Sequence, residues 1–162
     1  MTPATIYRIW QGNVTRWHHN TDHRLRNSGD CNQAHQCRTG QILAMLFPDA
    51  TADEFRQALL HDVPESWTGD PSYDAKKMEV VKSAHDWAET DTALRLGLPD
   101  YVSPRVKLCD NLDAILFAAS RASDILYGQG WPEHIAATRR DAWALGVGPE
   151  VDGILMAGET HE

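Results

Sequence analysis

Side chains that bind metal ions interrupt segments of the sequence that are otherwise apolar. His35 lies near the start of one predicted helix, and the adjacent His61 and Asp62 end the next. Asp110 lies inside the apolar run 106–119. A buried carboxylate costs free energy unless a partner such as a divalent cation neutralises it, and imidazole with carboxylate suits first-row metals. These residues therefore predict a site for one divalent ion (Zn, Co, Mn, Ni or Fe, with Mg as a further option), although each alone is more often a satisfied core residue.

Helices must position these side chains, because apolar residues recur at steps of three and four through most of the chain. Thr51 and Glu54 form a capping box, and Asp70–Pro71 and Ser103–Pro104 are helix-start signals with proline at the first position. Residues 11–30 are polar and irregular. The predicted helices span 3–10, 32–47, 51–62, 70–96, 105–127 and 132–145, followed by a short segment at 151–157. The prediction is a single-domain, all-α bundle of about six helices.

The ordered ligand set resembles the pattern of the HD-domain phosphohydrolases, an all-α superfamily of metal-dependent phosphoesterases. The segment 59–70, LLHDVPESWTGD, is similar to the bacterial HD-domain 5′-deoxynucleotidases and to the small phage dATP triphosphohydrolases. The context of the last Asp in that group is matched by Val106, Lys107, Asp110, Leu112 and Ala114. The resemblance covers roughly residues 14–118, and Ala34 stands where the bacterial enzymes usually carry an acidic residue. It implies one HD domain across residues 1–162, with His35, His61, Asp62 and Asp110 holding one ion.

The resemblance also implies which residues act on the attacking water. In this group an acidic residue after the His-Asp pair serves that water, and Glu65 matches it; Glu65 and Asp62 are the predicted catalytic residues. Glu65 lies four residues after His61 and would share a helical face with it, where a carboxylate can act as general base. The alternative for Glu65 is an exposed carboxylate at a helix end. Asp70 would either support an imidazole or cap the next helix.

The implied substrate contacts are Arg16, Trp17, Asp70, Lys76 and Lys77. An Arg-Trp pair upstream of the first His contacts the nucleotide in these relatives, and a lysine after the T-G-D element lies near phosphate. Arg16 offers a planar fork for phosphate oxygens, and either lysine would lie near a helix N-terminus, which favours anions. Trp17 would stack on a base. Solvated lysines and a core tryptophan are the alternatives, and the choice between Lys76 and Lys77 stays open.

Charge and composition limit the partners of the protein. The chain has 162 residues and a formal net charge of −8, which argues against a broad basic face for nucleic-acid polymers. It has no run of about 18 apolar residues to span a membrane and no secretory signal. Three cysteines at irregular spacing predict reduced thiols and therefore a cytoplasmic protein. If the chain is encoded by a phage, this is the cytoplasm of the host cell. We expect a small-molecule substrate and, from the resemblance, a homo-oligomer.

The resemblance implies a metal-dependent deoxynucleotide phosphohydrolase. A dATP triphosphohydrolase, which releases deoxyadenosine and triphosphate, is favoured because the chain is short and the Arg- and His-rich segment 11–30 would serve a longer phosphate tail. The alternative is a 5′-deoxynucleotidase that hydrolyses dNMPs to deoxynucleoside and phosphate. A third possibility is a non-enzymatic HD-like module that binds a nucleotide or a partner protein. Loss of a predicted ligand or of Glu65 would favour that module. The sequence retains all four predicted ligands and Glu65.

Overall fold

The secondary structure is helical throughout the part of the chain that the computed structural model describes, namely residues 2–11, 14, 16, 22–98, 101–128 and 130–159. This confirms the predicted all-α class. The helices are α1 (Pro3–Gln11), α2 (His23–Arg26), α3 (Asn32–Leu46), α4 (Ala52–Leu60), α5 (Glu65–Thr68), α6 (Tyr73–Lys76), α7 (Glu79–Leu96), α8 (Pro104–Ala122), α9 (Trp131–Ala144) and α10 (Gly148–Glu159), with a 3₁₀ helix at Ser123–Tyr127. Within the same ranges, no helix has both the length and the apolar character needed to cross a membrane.

Helix α8 occupies the centre of the bundle and contacts α3, α4, α9 and α10. Its apolar side chains Val106, Leu112, Ile115 and Ala118 are almost completely buried. Burial of one large aliphatic side chain of this kind contributes about 1.5–3 kcal/mol relative to exposure. Helix α3 packs against both α8 and α4. The three segments that carry the predicted metal ligands are therefore neighbours in the fold.

Two of the predicted helix starts are present and belong to helices that carry site residues. At α4, the hydroxyl of Thr51 accepts from the Glu54 amide at 3.2 Å, and the Thr51 amide donates to the Glu54 carboxylate at 2.8 Å. At α8, the hydroxyl of Ser103 accepts from the Val106 amide at 3.2 Å, with Pro104 as the first helical residue. Each cap satisfies a free amide of the first turn and so fixes where the helix begins.

The predicted helix at 70–96 is wrong in its first part. Ser72, and not Asp70, caps the chain here, since its hydroxyl accepts from the Ala75 amide at 3.3 Å. The resulting helix α6 is a single turn, and Met78 then adopts extended backbone before α7 begins at Glu79. The local serine cap replaces the Asp-Pro start signal, so Lys76 and Lys77 do not lie at the N-terminus of a long helix.

Other boundaries also differ from the prediction and raise the number of helices above six in the described ranges. The segment 11–30 contains α2, whose first turn is capped by Asp22 accepting from the Arg24 amide at 2.7 Å. The predicted helix 105–127 ends at Ala122, where φ of −159° and ψ of 62° leave the helical region and a 3₁₀ helix follows. The last segment is longer than predicted and forms α10.

We expect Thr51→Ala to lower the free energy of unfolding by about 1 kcal/mol, because it removes the acceptor for the Glu54 amide. Denaturant-induced unfolding measures this change. Thr90→Ala is the matched control, since Thr90 is exposed within α7 and alanine favours a helix interior. Equal stability of Thr51→Ala and the wild type would contradict the stabilising role of the cap.

Candidate metal centre and active site

The predicted ligands come together where α3, the end of α4 and α8 meet. His35 is in the first turn of α3 and is fully buried. His61 is the residue that ends α4, and Asp62 follows it in a turn. Asp110 lies in α8 and is 8% exposed. Residues far apart in the sequence are thus assembled by the packing of the central helices.

The ligand atoms lie close enough to surround one ion. Nε2 of His35 is 3.4 Å from Nε2 of His61 and 3.1 Å from Oδ1 of Asp110. The carboxylate of Asp62 lies 3.5 Å from the His35 nitrogen and 3.4 Å from the His61 nitrogen. Atoms that bind one ion at about 2.0–2.2 Å lie about 3–3.5 Å from one another. The spacing therefore fits a shared cation.

The other ring nitrogens fix which tautomers face this centre. Nδ1 of His61 is 3.0 Å from the carbonyl oxygen of Ala58, which can only accept, so Nδ1 carries the proton. Nδ1 of His35 is 2.7 Å from the carboxylate of Asp113 and donates to it in the same way. In the neutral form of each ring, Nε2 then presents a lone pair beside two carboxylates, whereas in the charged form of His35 it donates to Asp110. Two nitrogen lone pairs and two carboxylates that face one another lack a donor between them. A divalent ion bound at that point would accept all four lone pairs.

Arg16 supplies positive charge to the same carboxylates. Its guanidinium donates to Asp62 and lies 3.4 Å from Oδ1 of Asp110. Burial opposes the charged form, yet Asp62 and Asp110 raise the pKa of Arg16 above its usual value. The side chain is 4% exposed. The structure thus places this predicted phosphate contact directly against two of the predicted metal ligands.

The charges of the cluster shift its other groups in matching directions. Burial opposes ionisation of Asp62, but His61 and Arg16 lower its pKa. For Asp110, Lys107 and the two histidines outweigh burial and hold its pKa well below the usual range. Burial also opposes the charged form of His35, whereas hydrogen bonds to Asp110 and Asp113 raise its pKa. Both carboxylates are therefore anionic and suited to bind a cation.

A chain of ion pairs orients His35 from behind, and the sequence analysis missed it. Asp113 accepts from His35 and also from Arg38, whose Nε lies 2.6 Å from the carboxylate. The other side of the Arg38 guanidinium donates to both oxygens of Asp30, at 2.8 and 2.9 Å. A carboxylate behind a ligating histidine fixes the ring and raises its basicity. The sequence signal was present, since Asp113 is a second carboxylate in the same apolar run as Asp110.

Glu65 lies beside the cluster in a buried position. It begins the short helix α5 after the turn at 61–64, and the residue is 5% exposed, which rules out an exposed helix-end carboxylate. The side-chain amide of Asn32 donates to its Oε2 atom. Burial, followed by the carboxylates of Asp62 and Asp70, raises the pKa of Glu65 well above its usual value. A carboxyl group with a raised pKa is suited to proton transfer near neutral pH.

The two candidate lysines are in different environments. Nζ of Lys76 donates to the fully buried carboxylate of Asp70 at 2.9 Å and lies at the wall of the cavity described below. Lys77 is exposed and lies 3.3 Å from the exposed carboxylate of Asp74. Asp70 thus holds Lys76 and does not cap α6. Trp17 lies outside the described residues.

A small cavity lies between several of the predicted site residues. Its volume is about 100 Å³, and its wall includes Arg16, Asp62, Glu65, Lys76, Lys107 and Asp110, together with Asn111, Ala114 and His134. Lys107, Asn111 and His134 were not predicted as site residues. Nζ of Lys107 donates to Asp110 at 2.6 Å while its side chain remains 60% exposed, so one side of the cavity opens to solvent. The position of Lys107 three residues before a helical ligand was a usable signal.

A second group of potential ligands, on α7, is formed by His85, Asp86 and Glu89. Nε2 of His85 donates to the carbonyl oxygen of Gly69 at 3.0 Å, and its Nδ1 is 3.5 Å from Glu89. The ring is therefore engaged on both sides. This contact ties α7 to the segment that carries Asp70.

Comparisons of the chain with protein-family models, with curated proteins and with solved structures found no match.

We expect the protein to bind about one divalent ion per chain, and His61→Ala and Asp110→Ala to lose most of it, because each removes a converging ligand atom. Elemental analysis after gel filtration measures the bound metal. His23→Ala is the control, since that ring is 82% exposed. Full metal content in both ligand variants, with circular dichroism showing a folded chain, would contradict the assignment.

Asp113→Asn tests the residues behind His35. We expect the apparent metal affinity to fall by about 10- to 100-fold, because an amide no longer fixes the His35 tautomer or raises its basicity. Competition with a chromophoric chelator measures the affinity. Asp141→Asn changes an exposed carboxylate on α9 and should leave the affinity unchanged. An unaltered affinity in Asp113→Asn would show that the ring is held sufficiently by other contacts.

Proposed function

We propose that the protein is a metal-dependent phosphohydrolase of deoxynucleotides, and specifically a dATP triphosphohydrolase. The observation that carries the proposal is one cavity whose wall includes Asp62 and Asp110 of the predicted ligand set, the buried carboxyl group of Glu65 and the cationic side chains of Arg16, Lys76 and Lys107. Metal ligands and a general base serve hydrolysis, and cations serve a phosphorylated substrate. The resemblance of the ordered His and Asp residues to HD-domain phosphohydrolases supports the same class.

His35, His61, Asp62 and Asp110 would hold the ion. A divalent ion at this position supplies Lewis-acid chemistry to the phosphoryl group. The ammonium groups of Lys76 and Lys107 would bind phosphate oxygens, and each is already beside a carboxylate that holds it in place. Arg16 lies against Asp62 and Asp110 and would add positive charge near the reacting phosphorus.

Glu65 would take the proton of the attacking water. Asn32 donates to Oε2 of Glu65, which leaves Oε1 for that proton. In the proposed reaction the water oxygen forms a bond to the α-phosphorus of dATP, and the bond from this phosphorus to the 5′-oxygen breaks. The proton that Glu65 has taken from the water passes to the 5′-oxygen, and the products are deoxyadenosine and triphosphate.

The size of the cavity favours one alternative, a 5′-deoxynucleotidase acting on dNMPs. Its volume of about 100 Å³ is below the roughly 300–1,000 Å³ of sites that enclose a drug-sized ligand. The enclosed space thus suits a single phosphoryl group, with the rest of the substrate extending through the open side at Lys107. The triphosphate proposal requires the additional phosphates to lie along that side.

A panel of dNMPs and dNTPs, assayed with added metal and with chelator, tests the proposed function. We expect turnover of dATP that depends on the metal and yields deoxyadenosine and intact triphosphate. Adenine should be preferred to guanine if the base lies against a close-fitting apolar wall, which would exclude the extra amino group. Release of inorganic phosphate from dAMP with dATP unchanged would favour the 5′-deoxynucleotidase. Equal turnover of phosphodiesters and aryl phosphates would contradict a nucleotide substrate.

Glu65→Gln separates chemistry from binding. We expect kcat to fall by about 10²-fold or more, because the amide cannot accept a proton as the carboxylate does. Metal content and nucleotide affinity should persist, since glutamine keeps the size of the side chain. Glu89→Gln is the control, a change of a partly buried carboxylate on α7 that is not among the cavity residues. Unchanged turnover in Glu65→Gln would remove Glu65 from the mechanism.

A further inference from the structure

His134 is a polar residue of the cavity wall that the proposed mechanism does not use. It lies in the first turn of α9, whereas the predicted ligands come from α3, α8 and the end of α4. Its Nε2 atom is buried and has no hydrogen-bond partner among the described residues. A buried polar atom without a partner costs free energy, and a ligand in the cavity would supply the missing partner.

The rest of the ring is held in place. The backbone of Asn111 forms a hydrogen bond with the ring. Because Nε2 has no partner in the described chain, this bond involves Nδ1, and a carbonyl oxygen that accepts it fixes the proton there. The ring of the buried Trp131 makes an edge contact with the imidazole, with 5.9 Å between the centroids. Nε2 is therefore a fixed lone pair at the cavity wall.

The surroundings of His134 favour its neutral form, in which Nε2 is an acceptor. Burial lowers the pKa of His134, and neighbouring Lys107 acts in the same direction while Asp110 opposes it. A fully ionised phosphate has no hydrogen to donate, so Nε2 does not pair with it. A hydrogen-bonding group that meets this lone pair must carry an O–H or N–H bond.

We propose that Nε2 of His134 accepts a hydrogen bond from the 3′-hydroxyl of the deoxynucleotide and selects substrates that carry this group. The inference rests on the proposed function. A 2′-deoxynucleotide phosphorylated at its 5′-oxygen has one free sugar hydroxyl, at 3′. This hydroxyl lies closer to the reacting phosphorus than the amino group of a base does. His134 lines the same cavity of about 100 Å³ as Asp62, Glu65 and Asp110. A substrate group that contacts His134 must therefore lie close to the reacting phosphorus.

Binding to the inactive Glu65→Gln protein tests the inference without turnover. Calorimetry in the presence of a divalent ion compares dATP with 2′,3′-dideoxy-ATP, which lacks the 3′-hydroxyl. We expect dATP to bind about 10-fold more tightly, the effect of one neutral hydrogen bond. In the same background His134→Ala should reduce the ratio of affinities to about 1 by weakening dATP alone. His134→Gln should keep part of the preference, because its amide oxygen can accept.

Matched variants keep this test independent of folding. Glu133→Ala changes the exposed neighbour on α9 and should preserve the ratio. His134→Phe retains a ring that packs against Trp131 without an acceptor, and it should abolish the preference as alanine does. If the substrate panel identifies a monophosphatase, the same comparison is made with dAMP and 2′,3′-dideoxy-AMP.

The outcomes separate the two proposals. A preference for the 3′-hydroxyl that persists in His134→Ala and His134→Phe, or that is absent from the starting protein, overturns the inference. In that case hydrolysis of dATP by the wild type leaves the proposed function standing. If neither nucleotide binds and the wild type shows no turnover, both the proposed function and the proposed role of His134 are overturned.

Discussion

Two carboxylates and two imidazole lone pairs meet in the interior of this protein, and the fold depends on positive charge to hold them there. Removing an ionised carboxylate from water costs several kcal/mol unless a counter-charge is close. Arg16 supplies that charge to Asp62 and Asp110 within the chain itself. The helices α3 and α8 and the end of α4 can therefore pack tightly around groups that would otherwise repel one another.

Residues of alternating charge also surround this cluster, and each pairs with the next. His35 donates to Asp113, Asp113 accepts from Arg38, and Arg38 in turn pairs with Asp30. On the other side, Lys107 neutralises Asp110 and Lys76 neutralises Asp70. Each of these charges thus has an opposite neighbour, which restricts the orientation of the groups that face the cavity. Rigid placement is what a catalytic site requires of its supporting residues.

The helical class and the capping box at Thr51 could be predicted because each depends on a local pattern. The convergence of the predicted ligands was expected from the resemblance of their order to that of the HD-domain phosphohydrolases. Periodicity shows which face of a helix is buried, and a His-Asp pair after an apolar stretch marks a buried polar position. The start of α6 could not be predicted in this way, because two competing caps, Asp70 and Ser72, lie two residues apart and the Ser72 hydroxyl accepts from the first-turn amide. The start of α7 at Glu79 has no side-chain cap that could signal it in the sequence.

Contacts between distant segments could not be predicted from the sequence either. The pairing of Arg38 with Asp30 and Asp113, and the approach of His134 to the cavity, depend on how α3, α8 and α9 pack. Periodicity identifies a buried face without identifying its neighbour. His134 in particular lies in a first turn beside the exposed Glu133, and nothing in its sequence context marks it as a cavity residue. Its buried nitrogen becomes informative only when the facing helix is known.

Helix α8 carries four residues of the candidate site within two turns: the cavity residues Lys107 and Asn111, the predicted ligand Asp110, and Asp113, whose carboxylate accepts from His35. Each residue of a helix is rotated by about 100° from the last. Insertion or deletion of one residue between Lys107 and Asp113 would turn part of this set away from the cavity and drive a charged group into the apolar core. Change in chain length during evolution is therefore confined to the connecting segments, whereas the centre of α8 can vary only by substitution.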